Sequence, residues 1–185
     1  MSLSKAHQKQ MLDLAKSSIQ HGLRTGKPVK VNLAEFPPEL TIERATFVTL
    51  LIHHQLRGCI GVLEAVRPLI EDITENAYSA AFKDPRFPLL ENSELNHLKI
   101  HLSILTPAEP VLFASEQDLL TRLQPGIDGL ILEDGCRRGT FLPSVWESLP
   151  EAEQFLQHLK QKAGLAPGYW SDNIRVYRYR TEMIV

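Results

Sequence analysis

Cysteine is scarce: the 185 residues hold only Cys59 and Cys136. Two cysteines, neither in a CxxC pair, exclude a disulfide framework, a zinc ribbon and a thioredoxin-like motif, and they fit a reducing cytoplasm. Long apolar runs are missing too, and the longest fall far below the ~20 residues of a spanning helix. The opening residues MSLSKAHQKQ lack the apolar core of a secretion signal, so a soluble, cytoplasmic protein with no membrane role is expected. Nor is there an excess of one charge sign. The net charge is -2 with 23% charged residues, which removes any bulk attraction to nucleic acid or anionic lipid. The stretch RVYRYR and the pair Arg137 and Arg138 are read as solvated faces, and no nucleic-acid partner is expected. P-loop, GxGxxG and GxSxG patterns are absent, as are internal repeats. No cofactor is assigned.

What is present reads as one α+β domain. A chain of this length buries roughly 70% of its unfolded surface, enough for a core without covalent staples. Leu12, Ala15, Ile19 and Leu23 recur at helical spacing and predict a first helix from about Lys5 to Leu23, punctuated by Gly22 and Gly26. Pro37 and Pro38 make EFPPEL extended or turning. ATFVTLLI and LRGCIG predict a hairpin whose HHQ tip is too mobile for a preorganised site. A second helix is expected from about Pro68 to Phe82, stopped by DPRFP. LKIHLSIL alternates as a half-buried strand with His101 and Ser103 opposite its apolar residues. Ser115 and Asp118 open a short helix through Leu123. Asp134 and Gly135 suit the tight turn of a later hairpin, a helix from about Glu151 to Ala163 ends at Gly164, and IRVYRYR is a final strand. Short turns between strands favour antiparallel sheet over a parallel α/β fold.

The stretch with most chemical content is LRGCIG. On a regular strand Arg57, Cys59 and Gly61 share one face, with Gly58 and Ile60 on the other. A guanidinium beside the sulfur would favour the thiolate, and Gly61 would leave room for a ligand to approach. The alternative is structural: cysteine packs well as a small hydrophobe, and Arg57 can pair with a carboxylate. Arg86, in the rigid DPRFP turn, is a candidate anion contact. His101 lacks an evident route to Cys59. His97 and His101 would stand about 13 Å apart along a strand at ~3.3 Å per residue, and no metal site is assigned.

ATFVTL, LRGCIG, AAFKDPRFPLL, LSILTP, GIDGLILEDGCRRGTFLP and FLQHLKQKAGL occur in an order and spacing that resemble the AMMECR-type domain family, the AmmeMemoRadiSam system protein A group. The resemblance covers nearly the whole chain as one domain over residues 1–185. It implies an α+β fold with antiparallel sheet, a larger and a smaller subdomain, and a cleft between them. It also implies a Memo-like protein and a radical SAM protein as partners. It carries a suspected site onto Leu56 to Gly61 and nothing more; the reading of the residues themselves makes Cys59 and Arg57 the suspected catalytic residues and Gly58, Gly61 and Arg86 candidate substrate contacts. It does not imply a settled reaction. Cys136 stands where a second glycine is expected, and His101 where an acidic residue is common. Two expectations follow: an enzyme or accessory enzyme subunit with a cleft built around Cys59, or a non-catalytic binding module for a Memo-like or radical SAM partner.

Overall fold

The computed structural model describes residues 3–185. The chain divides into two compact units, one reaching to Leu105 and taking back Glu182–Val185, the other Thr106–Thr181.

In the first unit the Ser4 side chain accepts the His7 amide and starts α1 (Lys5–Thr25). Gly26 ends it at a left-handed φ of 69°. Gly22 is inside the helix instead of at its end, and a Cβ there would lie 2.5 Å from the Phe82 ring. The EFPPEL segment is more ordered than expected. Pro38, with φ preset for a first helical position, opens the short helix α2 (Pro38–Thr41).

The hairpin β1 (Thr46–Ile52) and β2 (Gln55–Gly61) turns on His53 and His54 alone. Their φ values of 50° and 65° are both positive, as the two-residue turn matching strand twist requires. The tip expected to be mobile is therefore a tight turn, and the His53 ring lies 5.1 Å from that of His97. Pro68 precedes α3 (Leu69–Phe82), and β3 (Leu98–Leu105) pairs antiparallel with β1. The last strand, β8 (Thr181–Ile184), is one that the sequence pattern did not reveal. The sheet order is β2-β1-β3-β8.

One face of this sheet is apolar. Val48, Leu50, Leu102 and Ile104 pack with Met11, Ala15 and Ile19 of α1 and with Ile70, Ile73 and Ala77 of α3. Asp72, fully buried on α3, accepts the Thr46 amide at 2.9 Å and the Thr46 hydroxyl at 2.6 Å, and is paired with Arg67. That network pins the start of β1 to α3 and satisfies a carboxylate that would otherwise be costly to bury.

The second unit holds β4 (Glu109–Pro110), α4 (Glu116–Arg122), β5 (Gly129–Asp134), β6 (Arg137–Phe141), α5 (Ala152–Lys162) and β7 (Arg175–Tyr179). Its sheet order is β4-β7-β5-β6, with antiparallel pairing throughout. Asp134 pairs with Arg137, so the turn is made by Gly135 and Cys136, one position later than expected. Gly135 supplies the positive φ of 60° and leaves Cys136 exposed at the tip. Ser115 caps α4 by accepting the Asp118 amide. After α5, Gly164 donates to Gln161 and Leu165 to Lys160, the paired bonds of a glycine-terminated helix. Trp146 stacks on Phe155 at 3.7 Å between ring centroids in the core of this unit. The chain is thus α+β with antiparallel sheets. Among the described residues no helix is long and apolar enough to cross a membrane.

Candidate functional site around Cys59

β2 is the outermost strand of its sheet, and Cys59 lies opposite Thr49 on β1. The edge of β2 is not left bare at Cys59. Its amide donates to Asp84 Oδ2 at 2.9 Å, and its carbonyl accepts Arg86 Nη2 at 3.1 Å. Asp84 and Arg86 are joined by three further bonds, the Arg86 amide to Oδ1 at 3.1 Å, Nε to Oδ1 at 2.9 Å and Nη2 to Oδ2 at 2.6 Å. The turn after α3 thus presents an acceptor and a donor side by side, taking the place of a neighbouring strand. Because the Cys59 backbone groups point outward, Cys59 and Thr49 form the closer, non-hydrogen-bonded kind of antiparallel pair. Their side chains meet accordingly, with Sγ 3.2 Å from Thr49 Oγ1.

The charges in the turn are locked. The Arg86 guanidinium beside Asp84 holds that carboxyl far below the usual carboxylate range; burial opposes this, and the Cys59 and Arg86 amides add to it. Asp84 in turn holds Arg86 above its ordinary value, with a smaller push the same way from Cys59.

Arg57 behaves differently from the expectation that it stands beside the sulfur on a regular strand. Leu50 is opposite Gly58 while Leu51 is opposite Leu56, so Arg57 is the extra residue of a β-bulge and the two-residue alternation breaks there. Its guanidinium is committed elsewhere. Nε and Nη2 bond Glu94 at 2.6 and 3.0 Å, and Nη2 also reaches the Leu89 carbonyl at 3.3 Å. Glu94 is held below its usual pKa first by Arg57 and further by the Glu91 amide, against the opposing effect of burial. Phe87 links the two arginines, its ring centre 6.0 Å from the Arg57 guanidinium carbon and 5.5 Å from that of Arg86.

The motif glycines serve packing. A Cβ on Gly58 would meet the Ala80 carbonyl oxygen at 2.1 Å, so this glycine lets α3 lie directly on β2. The space expected beside Gly61 is filled, since a Cβ there would lie 2.3 Å from the Phe47 ring.

Cys59 and Arg86 are therefore brought together, whereas Arg57 belongs to an adjoining cluster with Glu94 and Phe87. Thr49, Asp84 and Glu94 carry no motif that marks them in the sequence as members of this site. Asp84 had a readable signal, standing two residues before Arg86 in a proline-bounded turn, but long-range pairs such as Arg57–Glu94 leave no local pattern. His101 is placed anew: Thr49 is opposite both Cys59 and His101, so the three residues form one row across the polar face. A separate cavity of about 290 Å³, lined in part by Lys30, Arg67 and Glu75, includes none of these residues. Among the described residues no group of three or more His, Cys, Asp or Glu is arranged to hold a metal ion.

Comparison with known proteins decides the family. The AMMECR1 family model matches residues 12–184. The chain belongs to the AMMECR1 family. A protein of Methanothermobacter thermautotrophicus is 37% identical over 187 residues, covering 98% of this chain and 95% of its own length. Protein MJ0810 of Methanocaldococcus jannaschii is 38% identical over 162 residues, covering 83% of this chain and 79% of its own. Among solved structures, the crystal structure of uncharacterized protein PH0010 from Pyrococcus horikoshii is similar with a TM-score of 0.89 and 33% identity, over 98% of this chain and 92% of that one. The α+β architecture is thus common to an AMMECR1-family chain and this solved relative.

Proposed function

We propose that this AMMECR1-family chain is a cytoplasmic enzyme or accessory enzyme subunit in which Cys59 is the reacting thiol. The observation that carries this is the fixing of Cys59 on three sides: Asp84 holds its amide, Arg86 its carbonyl and Thr49 its sulfur, while the residue stays partly exposed. A thiol used only as core filler needs no such hold, and Cys59 lies on the face away from the apolar cluster. Arg86, with half of its side chain exposed, is the guanidinium at hand for an anionic group of a substrate. Arg57, bonded to Glu94 and lying against Phe87, positions the turn.

The test is to expose the folded protein to a panel of thioesters, aldehydes and Michael acceptors and map adducts by peptide mass spectrometry. Adducts on Cys59 that vanish in Cys59→Ser are expected. Adducts confined to Cys136 would sink the proposal.

A second reading, a binding module for a Memo-like or radical SAM partner, is favoured by the Arg57–Glu94 pair, which is structural in form. Under it, Cys59→Ser would leave partner binding and every partner-dependent activity intact.

A further inference from the structure

The row Cys59, Thr49, His101 crosses three neighbouring strands in register. Residues directly opposite one another in an antiparallel pair project to the same face with Cβ atoms about 4.5–5.5 Å apart. Cys59 turns its backbone groups away from β1, so Thr49 turns its own toward β3 and makes the hydrogen-bonded kind of pair with His101. The Thr49 hydroxyl already touches the Cys59 sulfur at 3.2 Å and stands on the side chain next to the imidazole.

His101 is half-buried, and its ring has no hydrogen-bond partner among the described residues. Burial, and secondarily the charge of Lys99, lowers its pKa, which keeps a ring lone pair free near neutral pH. The charged groups around the row are few. Lys99 is on the same strand and face, and the Asp84–Arg86 pair lies at the outer edge of β2. β1 contributes Phe47, Thr49 and Leu51 to this face, none of which titrates in this range. On β8, Glu182 is two residues from Ile184 and shares the face of that core residue, and its carboxylate accepts the Leu3 amide, so it faces away from the row.

We infer that His101 accepts the Cys59 proton through the Thr49 hydroxyl. With an alkyl halide, the sulfur electron pair forms the S–C bond and the halide leaves with the C–X pair. The imidazole, which bonds to nothing in the resting structure, turns onto Thr49 Oγ1; the thiol proton then passes to Oγ1 while the Thr49 proton passes to a His101 ring nitrogen. Thr49 is unchanged, and the products are a thioether, an imidazolium and halide. The inference rests on Cys59 being the reacting thiol, and it adds Thr49 and His101 as the groups that move its proton.

The test follows iodoacetamide labelling of wild type, His101→Gln, Thr49→Val, Thr49→Ser and the His101→Gln/Thr49→Val double variant. Rates are read at Cys59 by peptide mass spectrometry, with Cys136 as internal reference, from about pH 5.5 to about pH 8.5, the region below and around ordinary thiol ionisation. His101→Gln and Thr49→Val are each expected to slow Cys59 by about tenfold or more near neutral pH, the low end of acid–base assistance. The double variant should be no slower than either single one. Thr49→Ser, which keeps the hydroxyl, should behave as wild type. Rates unchanged at every pH in His101→Gln and Thr49→Val would overturn the relay and leave the thiol reading standing. Equal slowing by Thr49→Ser and Thr49→Val would also overturn it, because packing alone would then explain the loss. A Cys59 that stays unlabelled in the folded wild type would overturn both.

Discussion

Replacing Asp84 with alanine tests the hold on Cys59 most severely. The Asp84 carboxylate, 2% exposed, accepts from the Cys59 amide, the Arg86 amide, and Nε and Nη2 of Arg86. The guanidinium fork contributes little to the loss. The Arg86 side chain is 54% exposed and regains water, so that part is about 0–1 kcal/mol, as for a surface pair. The orphaned Cys59 amide matters more, because an unsatisfied buried donor costs about 1–3 kcal/mol. Together these give a destabilisation of roughly 1–4 kcal/mol, or a fall in Tm of roughly 2–16 °C for a chain of this size. Asp84→Asn, which retains one acceptor, should lose about half as much. The folded-state pKa of Asp84 is depressed. Its contribution is therefore complete above the unfolded carboxyl value of about 4 and is lost as pH falls below it. Urea unfolding at neutral and acidic pH, with hydrogen exchange at the Cys59 amide, reads both parts. Asp84→Ala within about 0.5 kcal/mol of wild type, the range of an ordinary surface change, would refute the reasoning.

Three further outcomes follow from the same geometry. Gly58→Ala drives a Cβ into the Ala80 carbonyl oxygen at 2.1 Å, and backbone cannot yield cheaply. It should cost about 3 kcal/mol or more by urea unfolding, while Gly168→Ala, with nothing within 4 Å, should be near neutral. Replacing His53–His54 with Asn-Gly should stabilise the protein by about 1 kcal/mol in thermal melts, because two non-glycine residues now hold positive φ. Tyr179, its hydroxyl pKa pushed up to about 12 by burial, should stay protonated in an ultraviolet titration where ordinary tyrosines ionise near ~10. Its contribution to stability is lost as pH rises from the unfolded value through about 12.

The sequence conveyed the parts of this fold that local rules control. Helical spacing placed α1 and α3, strict alternation placed β3, and Ser115 and Gly164 marked helix ends through caps that depend only on neighbouring residues. β8 escaped because TEMI is short and carries only a brief alternation. The first hairpin's turn was obscured because histidines occupy positions that Asn and Gly usually announce. At the site, Cys59 and Arg86 were legible as residue types in unusual settings, but their joining was not, since nothing local relates the edge of β2 to the turn after α3. The setting of Arg57 was hidden for a specific reason: its β-bulge and its tie to Glu94 depend on pairing with distant segments. The Cys59–Thr49–His101 row depends on register between three strands, which the period of each strand alone does not determine.

The central claim is that Cys59 is a held, solvent-reachable thiol. The direct measurement is the time course of iodoacetamide labelling at Cys59 in the folded protein near neutral pH, beside the same protein in denaturing urea. Cys59 is expected to be labelled in the folded state, at a rate independent of how often the chain unfolds. Labelling only at the rate of global unfolding would show a packed, inert cysteine and contradict it.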